Sequence, residues 1–136
     1  VSVHANFHLN KTAMTQRILT GLAHPQAKIL GHPTGRLLNR RNAYDLDWDK
    51  IFAFCREHRK ALEINAHPAR SDLPDNLIRA AVNKGVKLVI NTDAHAAAHL
   101  QFMNYGVSQA RRGWATKNDI INTWNWEKFR QFMLES

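Results

Sequence analysis

Short apolar runs that end in polar or turn residues alternate along this chain with longer stretches of helical periodicity, and that alternation constrains the fold most. Strand-length runs separated by helix-length segments join most simply as β-α units around a parallel sheet, so the expected class is α/β. Strands are expected at residues 1–4, 28–31, 61–65 and 86–91, with a weaker extended segment at Gly106 and Val107. Met14, Ile18, Leu19 and Leu22 recur at helical spacing within 12–23, as do Ile51, Phe52, Phe54 and Cys55 within 48–59. A third helix is expected to start at Pro74, to bury Leu77, Ile78, Ala81 and Val82, and to stop at Gly85. A last helical pattern runs over 124–134.

The 136 residues suit one domain and fall short of a complete eight-stranded α/β barrel. Nineteen Lys and Arg against eleven Asp and Glu leave a formal charge of +8, which favours polyanions such as nucleic acid or phosphorylated substrates. The single Cys55 excludes an internal disulfide framework and points to a cytoplasmic setting. No apolar run approaches the roughly 20 residues that span a bilayer, so no membrane partner is expected. The chain opens on Val1-Ser2-Val3 as though already inside a strand, which reads as a piece of a longer protein.

His4, His32, His67 and the Asp93/His95 pair each follow an expected strand. In parallel α/β folds the carboxyl ends of the strands carry the site, because side chains from several strands converge there. Imidazole and carboxylate donors gathered at such a mouth suit Zn, Mn or Fe. The plainer reading of any one of these residues is a loop cap, with Asx-turn capping the alternative for Asp93. His24 reads as a helix C-terminal cap and His58 as part of a solvated helix end, while His8 and His99 fit either role. Arg36, Arg40 and Arg41 follow His32 closely, and forked guanidinium donors suit a phosphodiester. Arg111, Arg112 and Trp114 form a second basic-aromatic group fit to hold a strand backbone and stack a base, or simply an exposed turn.

Five strings then stand out together: Ser2-Val3-His4, residues 30–38 (Leu-Gly-His-Pro-Thr-Gly-Arg-Leu-Leu), Leu62-Glu63-Ile64-Asn65, residues 89–95 (Val-Ile-Asn-Thr-Asp-Ala-His), and Tyr105-Gly106-Val107 with residues 110–114. In this order and spacing they resemble the PHP (polymerase and histidinol phosphatase) domain, above all the one at the C-terminus of bacterial family X DNA polymerases. The resemblance implies the C-terminal part of a distorted (β/α)7 TIM-like barrel, with a multinuclear metal centre of Zn, Mn or Fe. It implies His4, His32, Asp93 and His95 as metal ligands, and leaves His67 outside the set. It implies metal-dependent phosphoester hydrolysis of the 3'-5' exonuclease type, in which a metal-activated water attacks DNA or another phosphoester. The family's early His-x-His motif and a further Glu and His have no counterpart here, so residues 1–136 are expected to be a partial domain.

A basic DNA-binding or scaffolding module with a vestigial metal site is the rival from another class, and a small-molecule phosphatase of the histidinol-phosphatase type is the rival within hydrolases. Expected partners are the missing N-terminal half of the domain, an upstream polymerase domain, and further copies of the chain, because a partial barrel leaves sheet edges open. Sedimentation at micromolar concentration checks this last expectation: self-associated species bear it out, and a sharp monomer with two-state melting sinks it.

Overall fold

Three parallel strands organise the computed structural model, which describes residues 1–134: β1 (Ile29–Leu30), β2 (Ala61–Asn65) and β3 (Lys87–Asn91), in the order β1-β2-β3. Leu62 lies opposite Leu88 and Ile64 opposite Ile90. Because strand side chains alternate between faces, this register puts Leu62, Ile64, Leu88 and Ile90 into one apolar layer with Leu30. Met14, Ile18, Leu22, Ile51 and Ile78 complete that main core, all essentially without solvent exposure. Ala61 and Val89 face the other way, into a smaller cluster with Ile121 and Phe132. Glu63, Asn65 and Asn91 share that second side by alternation, and they stand toward the carboxyl ends of the strands.

Among the described residues, five α-helices and two short 3-10 helices surround the sheet. Helix α1 (Lys11–Leu22) starts at Asn10, whose side-chain oxygen accepts from the Ala13 amide at 2.9 Å, and α2 (Trp48–Glu57) starts at Asp47, which caps Lys50 in the same way. Helix α3 (Asp75–Asn83) follows Pro74 and buries Ile78 and Ala81, with Leu77 and Val82 packed partly against the core. Helix α4 (Met103–Arg112) lies on β2 and β3, and α5 (Trp126–Leu134) turns Phe132 into the smaller cluster. The α/β class therefore holds as a mixed α/β fold with a small parallel sheet.

Two expected strands are corrected. Residues 1–4 form no strand, although the Val1 amine donates to the Ile29 carbonyl at 2.8 Å and the Gly31 amide donates to the Val1 carbonyl at 2.8 Å. One residue thus pairs beside β1, and the chain then turns away. Gly106 and Val107 lie inside α4. Packing explains this second miss, because a residue with no side chain lets the helix backbone settle onto the sheet where Ala66 and Ile90 leave little room.

A Cβ at Gly106 would collide with Ile90 Cγ2 and come within 2.8 Å of Ala66 Cβ. Gly106→Ala is therefore expected to destabilise the fold by about 1–3 kcal/mol despite its better helix propensity, checked by urea denaturation.

Candidate active site at the carboxyl edge of the sheet

After β1 the chain turns through Gly31 and His32, and two buried carboxylates fix its path. The His32 amide donates to Glu63 Oε2 at 2.6 Å. Two residues on, the Thr34 and Gly35 amides donate to Asp72 Oδ2 at 3.0 and 3.1 Å. His32 takes a left-handed backbone (φ 31°), a conformation that side-chain-bearing residues hold only when their surroundings enforce it, and the Glu63 bond is such a constraint. Gly35 is also left-handed (φ 65°), and the Tyr44 ring fills the space a Cβ would need.

Glu63 is the hub of the edge. Its Oε2 also accepts from Asn65 Nδ2 at 3.1 Å, and its Oε1 accepts from Asn91 Nδ2 at 2.8 Å. Asn65 in turn hydrogen-bonds the Asp93 carboxylate, which also receives Arg70 Nε at 3.0 Å. One polar network therefore runs from the His32 loop across β2 and β3 to Asp93. Glu63, Asn65, Arg70, Asp72 and Asn91 were not picked out from the sequence as site residues. A signal existed for three of them: polar residues two apart in Leu62-Glu63-Ile64-Asn65, and Asn91 ending an apolar run.

The four expected ligands form two pairs. The rings of His4 and His32 meet edge to face with centroids 5.0 Å apart, and His4 Nε2 lies 2.8 Å from Ser2 Oγ. His32 Nδ1 is buried and has no hydrogen-bond partner. Burial, the Arg70 charge and His4 hold the His32 imidazolium below its ordinary pKa against the pull of Glu63, so the ring is neutral near pH 7. In the second pair, His95 Nδ1–H donates to the Asp93 carbonyl at 2.7 Å, which leaves Nε2 as the lone-pair nitrogen. Burial raises the Asp93 carboxyl, but hydrogen bonds from Asn65 and Arg70 and the Arg70 charge outweigh it and keep the acid below its usual range. Among the described residues no group of three or more His, Cys, Asp or Glu converges closely enough to hold a metal ion. Imidazole nitrogen and carboxylate oxygen are donor types that Zn, Mn or Fe take, and the structure brings these residues together as the His4/His32 ring contact and the Asp93/His95 contact.

His67 stays outside both pairs: its Nδ1 accepts from the Ala69 amide and its ring stands edge-on to His99 and Phe102. The cations are partly committed. Arg36 donates through Nε to the Arg70 carbonyl at 2.9 Å and through Nη2 to the Ser71 carbonyl. Arg41 donates to the Gly35 carbonyl and lies 3.7 Å over the Phe7 ring. Arg40 is exposed beside a cavity of about 540 Å³ that Arg36 and Arg41 also line. Arg112 is bound to Asp75, Arg111 is exposed, and Trp114 already carries the Arg79 guanidinium on its ring at 3.7 Å.

No known family model matches the chain. It is 40% identical over 121 residues, 89% of its length, to the DNA polymerase/3'-5' exonuclease PolX of Bacillus subtilis (strain 168), a protein that carries the PHP domain. The chain is PHP-like. Probable phosphatases of Thermoanaerobacter sp. (strain X514) and Thermoanaerobacter pseudethanolicus are each 24% identical to it over 115 residues. The PHP-like chain spans 21% of the length of PolX and 44% of the phosphatases. No helix among the described residues is long and apolar enough to cross a membrane.

Burial lifts the Asp72 carboxyl from 3.8 to about 6 against the opposing bonds from Thr34 and Gly35 and the charge of Arg36. The folded state thus holds this proton more tightly than the unfolded chain. Its contribution is complete below pH about 4 and is lost as pH rises through about 6. Denaturation of wild type and Asp72→Asn at pH 4 and 7 should show wild type losing stability relative to the variant, by on the order of 3 kcal/mol.

Proposed function

We propose that this chain is part of a metal-dependent phosphoesterase that trims nucleic-acid ends in the manner of a 3'-5' exonuclease, within a PHP-type β/α barrel. The observation that carries this reading is the buried, unpartnered His32 Nδ1 beside the His4 ring. A buried polar atom without a partner is costly, and a divalent transition metal satisfies such a nitrogen. His4 and His32 are assigned as one pair of ligands and Asp93 with His95 as the other; further ligands and the remaining barrel strands are assigned to protein outside this chain. A bound ion supplies Lewis acidity toward the phosphoryl oxygen and an activated water.

The chain's own residues then have definite tasks. Glu63 holds the His32 backbone, as an outer partner orients a ligand. Arg70 keeps Asp93 ionised. Arg36, Arg40, Arg41, Arg111 and Arg112 are assigned to the phosphates of the substrate, in keeping with the +8 charge. The similarity to PolX supports a nucleic-acid substrate, and the weaker similarity to probable phosphatases favours a second reading, a small phosphomonoester.

Calorimetric titration with Zn and Mn tests the assignment. His32→Ala is expected to abolish uptake, and Glu63→Gln to weaken it about 10- to 100-fold while leaving the ligands in place. Uptake unchanged in His32→Ala overturns the metal assignment. Release of mononucleotides from a 3'-labelled oligonucleotide supports the exonuclease reading; turnover of p-nitrophenyl phosphate alone moves the assignment to the phosphatase.

A further inference from the structure

A cavity of about 410 Å³ is lined by Arg36, Ser71, Asp75, Tyr105, Gln109 and Arg112, with Pro68 and Pro74 in its wall. Its size falls in the range of about 300–1,000 Å³ typical of small-ligand sites. Three features decide what it suits. Tyr105 is 56% exposed, so most of its ring is open to solvent. It continues a run of rings, with Phe102 at 6.0 Å from Tyr105 and stacked on His99 at 4.8 Å. Arg36 and Arg112 border the same space, each held in place by Nε and Nη2.

Anchoring leaves the guanidinium groups with donors to spare. A guanidinium has five N–H donors, and the bonds described for Arg36 and Arg112 leave the Nη1 arm of each without a partner among the described residues. With Asp75 as the one carboxylate in the lining, the cavity carries an excess positive charge. An exposed aromatic face beside two fixed guanidinium groups matches a planar aromatic ligand that carries a phosphate.

We propose that this cavity is a nucleotide subsite for a single-stranded nucleic acid, in which Tyr105 stacks a base and Arg36 and Arg112 hold the adjoining phosphate. The proposal rests on the phosphoesterase reading for its choice of a polymeric ligand. Arg70 links the cavity to the edge: its carbonyl accepts from Arg36, which lines the cavity, and its guanidinium donates to Asp93. Tyr105, rather than Trp114 with its ring already covered by Arg79, is the base platform.

Fluorescence anisotropy in EDTA, which removes hydrolysis from the readout, tests this with the whole chain, a labelled oligothymidylate and an abasic phosphodiester of equal length. Stacking of one base predicts that Tyr105→Ala weakens oligothymidylate binding roughly 5- to 150-fold, leaves abasic binding unchanged, and is rescued by Tyr105→Phe. Equal affinity of wild type and Tyr105→Ala for oligothymidylate, or an equal loss on both ligands, overturns the subsite. Zn and Mn uptake that is unchanged in His32→Ala, with the base-dependent loss intact, sinks the metal-dependent phosphoesterase reading and leaves the subsite standing.

Discussion

The edge of this molecule depends on two carboxylates taken out of water. Glu63 and Asp72 are both buried, and between them they receive the amides of His32, Thr34 and Gly35. Desolvating a carboxylate is costly unless hydrogen bonds replace its water, and backbone amides do so without freezing long side chains. That exchange fixes a loop whose backbone is left-handed at Gly35, where glycine accepts it freely, and at His32, where a side-chain-bearing residue resists it. Deleting the Glu63 side chain would strip the His32 amide of its acceptor, and deleting that of Asp72 would strip the Thr34 amide of its own.

The network also explains how a protein with formal charge +8 spends its cations. Arg70 is bound to Asp93, Arg112 to Asp75, and Lys84 to Asp49. Arg41 and Arg79 lie on aromatic rings. The exposed pairs contribute little to stability, since water screens them. The Arg70–Asp93 pair is different, because it is partly shielded and belongs to the chain of polar groups that reaches Glu63. The charge available to a polyanion is therefore smaller than composition suggests, and Arg40 is exposed beside the cavity that Arg36 and Arg41 also line.

Legibility in the sequence followed the strength of local pattern. Ala61–Asn65 was read with its observed bounds, and β3 begins one residue later than expected, because an apolar run between turns has few other ways to bury itself. Helices α1 and α2 were read to within two residues at each end, as their apolar spacing is regular and Asn10 and Asp47 supply caps. Gly106 misled because a glycine lowers helix propensity, whereas here its missing side chain is what admits the helix to the sheet. Residues 1–4 misled because β-branched composition signals a strand whether or not a partner lies alongside for more than one residue.

The sequence by itself determined the alternation that makes an α/β fold, the placement of His4, His32, Asp93 and His95 after apolar runs, and the basic balance of the chain. These are local or additive properties, and a linear reading recovers them. Tertiary structure alone decided that the His4 ring meets the His32 ring, that Glu63 joins the His32 loop to Asp93 through Asn65, and that Arg36 turns toward the carbonyls of residues 70 and 71. Each of these outcomes links groups more than twenty residues apart or depends on which hydrogen bonds burial leaves open. Spacing along a chain carries no record of such choices; they are set when strands come into register and desolvated groups must find partners.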